Sequence, residues 1–255
     1  MRVFSTLLSV LTLTALVSCG QSSSGSGSGG TQQENRGTSP ATPTRGINQN
    51  ENVSADGSNI NGIYAADLFP VNYNLHFKQV GTASLQRDAD MFMAQVNLKY
   101  GPRDTRVKQA VYTGRRCPNL TDDLNKDAYI DINEAMLAMG NITIPLDGVI
   151  DSQMEGADQY PTGDSVTGRF SYATVGSFAR LFADLKAPDE NPMDNVIKLG
   201  AEDGLTFPGR VVMLLGVPES LALPPTVTGV EGMSLHSTVP LACGVLWKVG
   251  ALPSF

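Results

Sequence analysis

Histidine, cysteine and runs of positive charge are all scarce in this chain. It carries two His, one Trp and three Cys in 255 residues. No Lys/Arg run stands out, and the formal net charge is −7. An acidic chain without a basic stripe suits neither nucleic acid nor an anionic membrane surface as a partner. Two histidines leave little room for imidazole-rich metal centres. No Gly-x-Ser-x-Gly elbow and no His-Glu-x-x-His pair is present, so two well-marked routes to hydrolysis are missing.

What the chain does have begins at its N-terminus. Met1-Arg2 precedes an apolar stretch, 3–17, broken only by Ser and Thr. It is too short for a spanning helix and has the layout of a secretory signal. It ends in Leu16-Val17-Ser18-Cys19-Gly20, which resembles the bacterial lipobox. That resemblance implies cleavage after residue 18 and lipidation of Cys19, giving a membrane anchor through the acyl chains. Gly20, and not Asp, follows the Cys; by resemblance to sorting in Gram-negative envelopes this implies the outer membrane. Residues 19–62 are rich in Ser, Gly, Asn and Pro and cannot bury enough apolar surface to order themselves. Some 40 residues of such coil span roughly 35 Å, enough to hold a domain off the bilayer.

Residues 63–255 make one domain's worth of chain. Short apolar or alternating segments recur between Gly, Pro and Asp turns: 71–80, 91–100, 107–113, 141–146, 166–172, 209–217 and two within 235–249. This pattern predicts a mainly β protein, an antiparallel sandwich or barrel. Two short helices are expected, 132–139 and 174–186. The second carries Phe178, Leu181, Phe182 and Leu185 at helical spacing, a core stripe. Cys117 and Cys243 remain after Cys19. In an oxidising compartment they are expected to pair and to close a loop of over a hundred residues.

The most explicit chemistry lies in residues 123–134, Asp-Leu-Asn-Lys-Asp-Ala-Tyr-Ile-Asp-Ile-Asn-Glu. Oxygen-bearing side chains stand at loop positions 1, 3, 5, 9 and 12, the spacing of an EF-hand calcium loop. Asp123, Asn125 and Asp127 would supply side-chain oxygens and Tyr129 its carbonyl. Asp131 would act directly or through water, and Glu134 would close the site with both oxygens. Ile130 fits the apolar eighth position. Ala128 stands where Gly is usual, at a cost of about 1–2 kcal/mol for a left-handed residue with a Cβ. Arg115-Arg116-Cys117-Pro118-Asn119 reads as a turn, so no helix should enter the loop. A lone, half-flanked site of this kind predicts weak, structural Ca2+ binding. The acidic runs 189–195 and Asp147, Asp151, Glu155 and Asp158 read as surface.

Tyr112-Thr113-Gly114-Arg115-Arg116-Cys117-Pro118, Ile144-Pro145-Leu146-Asp147-Gly148 and Pro240-Leu241-Ala242-Cys243-Gly244-Val245 resemble a group of exported bacterial proteins of unknown function. Those in turn resemble chordin-type domains, with a β-sandwich akin to copper/zinc superoxide dismutase. The related strand there carries a His-x-His pair, where this chain has Gln109 and Val111. With only His76 and His236, it lacks the imidazoles for a copper–zinc pair.

Together these observations lead to an expected non-enzymatic, lipid-anchored cell-envelope module. It would bind calcium and meet a cell-surface protein or glycan. The competing expectation is a hydrolase built on His236, with Ser234 or Ser237 and a carboxylate. His236 is expected on a strand and His76 on an exposed strand face. Trp247 is expected as core or edge packing.

Overall fold

The computed structural model describes residues 60–75, 81–152, 160–188, 198–199 and 205–250. The chain divides into two units, Met1–Thr44 and Arg45–Phe255, and every described residue lies in the second. The signal stretch, Cys19, the tether up to residue 59, His76, Glu155, Asp158 and the acidic run 189–195 lie outside the described residues.

Among the described residues, nine strands form one curled antiparallel sheet. They are β1 (Gly62–Pro70), β2 (Gly81–Asp88), β3 (Met91–Leu98), β4 (Lys108–Tyr112), β5 (Ile142–Pro145), β6 (Phe170–Ser177), β7 (Val211–Leu215), β8 (Pro240–Val245) and β9 (Trp247–Gly250). The order across the sheet is β5-β4-β7-β8-β1-β2-β3-β6, with β9 paired to β1. β1 is the hinge of the curl. Ile63 to Ala65 pair with β9, while Phe69 and Pro70 pair with β8. Among the described residues, three α-helices accompany the sheet: α1 (Ile132–Met139), α2 (Phe178–Lys186) and the one-turn α3 (Leu235–Thr238).

Inside the curl, Tyr64, Leu68, Leu85, Phe92, Val96, Val212, Leu214 and Phe207 are buried in one cluster, closed at one end by Phe178, Leu181 and Leu185 of α2. A second cluster sits on the opposite face of β4, β7 and β8. There Ala110, Tyr112, Val211 and Met213 meet Ile130, Ile132, Ala135 and Met139. β7 is therefore covered on both faces, which explains its unbroken apolar sequence. The candidate calcium loop and α1 are the cover on the outer face, so the loop is part of the core's construction.

Several expectations need correction. No strand occupies 71–75: Val71 and Asn72 are buried and Tyr73–Leu75 is a 3-10 turn. β1 and β2 lie where no strand was expected. The first has apolar residues on both faces (Ile63 and Ala65 beside Tyr64 and Ala66), which hides its period. The second, Gly-Thr-Ala-Ser-Leu-Gln-Arg-Asp, is ordinary in β-propensity and is held by pairing on both sides. The helix expected from 174 starts at Phe178, because Thr174 to Ser177 complete the β3–β6 ladder. His236 lies in α3, not on a strand. Asp147, read as surface, is wholly buried. Its carboxylate accepts the Val149 N–H, and its carbonyl accepts the Tyr172 hydroxyl at 2.5 Å.

Candidate functional site

The segment before residue 123 enters as turns, with no helix. The Arg116 guanidinium grips the Asp122 carboxylate with two nitrogens, at 2.6 and 2.7 Å. That grip, with the Asn119 amide, holds Asp122 below the usual carboxylate range against the opposing effect of burial. Lys126 and Ala128 are both left-handed, with φ of 61° and 66°. The loop thus takes the tight course its polar spacing calls for, despite the Cβ on Ala128.

The five expected side-chain ligands each accept a backbone N–H of the loop. Asp123 accepts the Asp127 and Ala128 N–H groups at 3.2 and 2.9 Å. Asn125 Oδ1 accepts the same Asp127 N–H at 2.9 Å, so it and an Asp123 oxygen turn to one donor. Asp127 accepts the Tyr129 N–H at 2.8 Å. Glu134 Oε1 reaches back across the loop to the Leu124 and Asn125 N–H groups, and its Oε2 accepts the Asp131 N–H. Asp131 in return accepts the Glu134 N–H, a complete capping box at the start of α1. The first and last acidic residues therefore close the loop on itself.

Sequence reasoning missed the residues that hold this loop from outside. Asn72 is buried. Its side-chain NH2 donates to the Ile130 and Pro240 carbonyls at 3.0 and 2.9 Å, and its oxygen accepts the Ile130 N–H at 2.7 Å. Asn74 donates to the Ala128 carbonyl. Thr226 donates to Asp127 Oδ2 at 2.5 Å. Thr228 gives both its amide and its hydroxyl to Asp131 Oδ2. Burial pushes the Asp127 carboxyl up. The Thr226 hydroxyl, the Tyr129 amide and Asn125 outweigh it and leave the group below its usual range. No local pattern marks these partners, because they lie up to 99 residues from the loop.

The donor set is right in kind for a hard dication, being oxygen throughout. Convergence is less complete. Among the described residues no three His, Cys, Asp or Glu side chains come together as a metal cage. The carboxylates are turned to amide and hydroxyl donors. Cys117 and Cys243 are bonded as a disulfide with Cα atoms 5.7 Å apart, tying the approach to the loop onto β8.

The hydrolase expectation turns on the partners of His236. Its Nδ1 lies 3.0 Å from Glu219 and its Nε2 2.8 Å from the Leu221 carbonyl. The Ser234 hydroxyl donates to Glu219, and the Ser237 hydroxyl to the Ser234 carbonyl. Neither serine is hydrogen-bonded to the imidazole. Gln109 and Val111 are both buried in the sheet, where Gln109 donates to the Leu146 carbonyl. Trp247 is half-buried on β9.

The fold is that of a mainly β, curled antiparallel sheet. No protein-family model matches the chain, and no curated protein matches it. Among solved structures, the chain is distantly similar to copper/zinc superoxide dismutase from Brucella abortus, with 14% identity. That match covers 72% of this chain and 98% of that one at a TM-score of 0.35. A mutant of a superoxide-dismutase-like protein from Bacillus subtilis matches at 13% identity, 71% and 95% coverage and a TM-score of 0.35. The same protein without that mutation matches at 10% identity, 71% and 96% coverage and a TM-score of 0.31.

Proposed function

We propose that this chain is a calcium-binding module of the cell envelope, anchored by lipid at Cys19, in which the ion is structural and the protein does no covalent chemistry. The observation that carries the proposal is the closed circuit of residues 123–134. Oxygen donors stand at the spacing of a calcium loop, Ala128 takes the left-handed backbone its position requires, and Glu134 reaches back to amides near Asp123. Asp123, Asn125, Asp127, the Tyr129 carbonyl, Asp131 and Glu134 would hold the ion, as a hard cation offers oxygens more than amide donors can. The loop covers the outer face of β4, β7 and β8, so gripping it harder would stiffen the core there. A surface protein or glycan is the class of partner expected for an anchored module of this kind.

Calorimetry with Ca2+ should show one weak site, in the 10⁻⁴–10⁻³ M range of extracellular modules. Excess Ca2+ should raise the melting temperature, and Glu134→Ala should abolish both effects. Ala128→Gly should raise the melting temperature by relieving about 1–2 kcal/mol of left-handed strain already present in the loop. No heat up to 10 mM Ca2+ (a ceiling of about ten times the weakest affinity expected), or Glu134→Ala binding as wild type does, would end the proposal.

A further inference from the structure

Residues 224–230 cross the candidate calcium loop as a strap that belongs to no strand or helix. Thr226 and Thr228 are exposed, and Val227 between them is buried. Thr226 Oγ1 donates to Asp127 Oδ2 at 2.5 Å, and the Thr226 carbonyl accepts the Asn125 side-chain amide at 3.4 Å. Thr228 gives its amide, at 2.9 Å, and its hydroxyl to Asp131 Oδ2. The same hydroxyl oxygen accepts the Asn133 side-chain amide at 2.8 Å. The strap is therefore fastened to four polar side chains of the loop, and Asn125, Asp127 and Asp131 among them are expected ligands. Little else holds it. Among the described residues its backbone makes only local hydrogen bonds, Val227 N–H to the Pro224 carbonyl and Met233 N–H to the Val230 carbonyl, both at 3.1 Å. Val227 packs in a small satellite cluster with Val217 and Val239. A segment with few buried apolar contacts and exposed hydrogen bonds opens at low free energy.

Each carboxylate oxygen has about two lone-pair sites. Thr228 fills both on Asp131 Oδ2, and the Glu134 N–H takes one on Oδ1. On Asp127, Thr226 holds Oδ2 and the Tyr129 N–H holds Oδ1. Every oxygen that these two residues could turn to a cation thus already accepts a hydrogen bond. A dication on the same oxygen repels the hydrogen aimed at it. The bonds to Tyr129 and Glu134 lie within the loop and move with it. The bonds to the threonines come from a distant segment and cannot follow. We propose that residues 224–230 are a calcium-released strap: the ion and the two threonines compete for Asp127 and Asp131, so filling the loop frees the strap and uncovers the apolar cluster beneath Val227. The proposal rests on the calcium reading of residues 123–134.

The test compares the full chain in Ca2+ and in chelator, with uptake followed by calorimetry and the strap by amide hydrogen exchange. In saturating Ca2+ the Thr228 amide should exchange about tenfold faster, the loss of about one hydrogen bond to a charged group. Thr226→Val and Thr228→Val each remove a competing hydroxyl at an exposed position, and each should tighten Ca2+ binding about tenfold. The wild-type exchange measurement needs neither variant. The two readings fail differently. Absence of Ca2+ uptake overturns the calcium reading and the strap together. Uptake with unchanged or slower exchange at Thr228, or valine variants that bind Ca2+ no more tightly than wild type, overturns the strap alone and leaves the threonines as fixed supports of a calcium loop.

Discussion

At the scale of single residues, Asn72 gives Ile130 what a neighbouring strand would give it. Its amide meets both the N–H and the carbonyl of Ile130, and a second hydrogen reaches Pro240. All of these groups are buried, so removing the amide leaves polar atoms with neither water nor partner. Asn72→Ala should therefore destabilise the protein by about 2–4 kcal/mol, measured by urea unfolding, well beyond the value of one ordinary hydrogen bond. The same variant should weaken the proposed calcium binding, because Ile130 sits inside the loop. Nothing in the residue sequence around Asn72 announces this role. Its partners are 58 and 168 residues away. Ala128, by contrast, was legible: its place in the loop required a left-handed backbone, and φ is 66°.

At the scale of elements, the start of α2 shows how a hairpin turn can serve as a helix cap. Asp90, in the β2–β3 turn, accepts the Ala179 N–H at 2.7 Å and the Ser177 hydroxyl, while its carbonyl accepts the Phe178 N–H. The Ala179 amide and then Ser177 hold the Asp90 carboxyl below its usual value of 3.8. A depressed folded-state pKa means stability present above the unfolded value and lost as pH falls. Unfolding curves of wild type and Asp90→Asn should therefore differ by a constant amount near neutrality. The difference should shrink as pH drops below 3.8 towards the folded pKa. A difference that grows on acidification would contradict the assignment. The apolar stripe of α2 was readable from its spacing, and Phe178, Leu181 and Leu185 are indeed buried. Its first turn was not, because Thr174 to Ser177 fit either a helix or a strand and the pairing with β3 decided it.

At the scale of the whole molecule, the disulfide joins residues 126 apart and links the loop's approach to β8. Cys117→Ser with Cys243→Ser should lower stability by on the order of 4–5 kcal/mol in the chain-entropy model, read from denaturant midpoints under non-reducing conditions. A loss confined to residues 113–134 in hydrogen exchange would instead mark the bond as a local clamp. What the amino-acid order determined by itself was everything written in short range. The loop's oxygen spacing, the helix stripe, the buried β7 run and the mainly β character each need only a few adjacent residues and their periodicity. Tertiary structure decided the rest: that β1 turns between two sets of partners, that Asn72, Thr226 and Thr228 hold the loop, and that Asp147 is interior. Those outcomes depend on which distant segments come within a few ångströms of one another, and polar partners chosen by proximity leave no repeating trace along the chain.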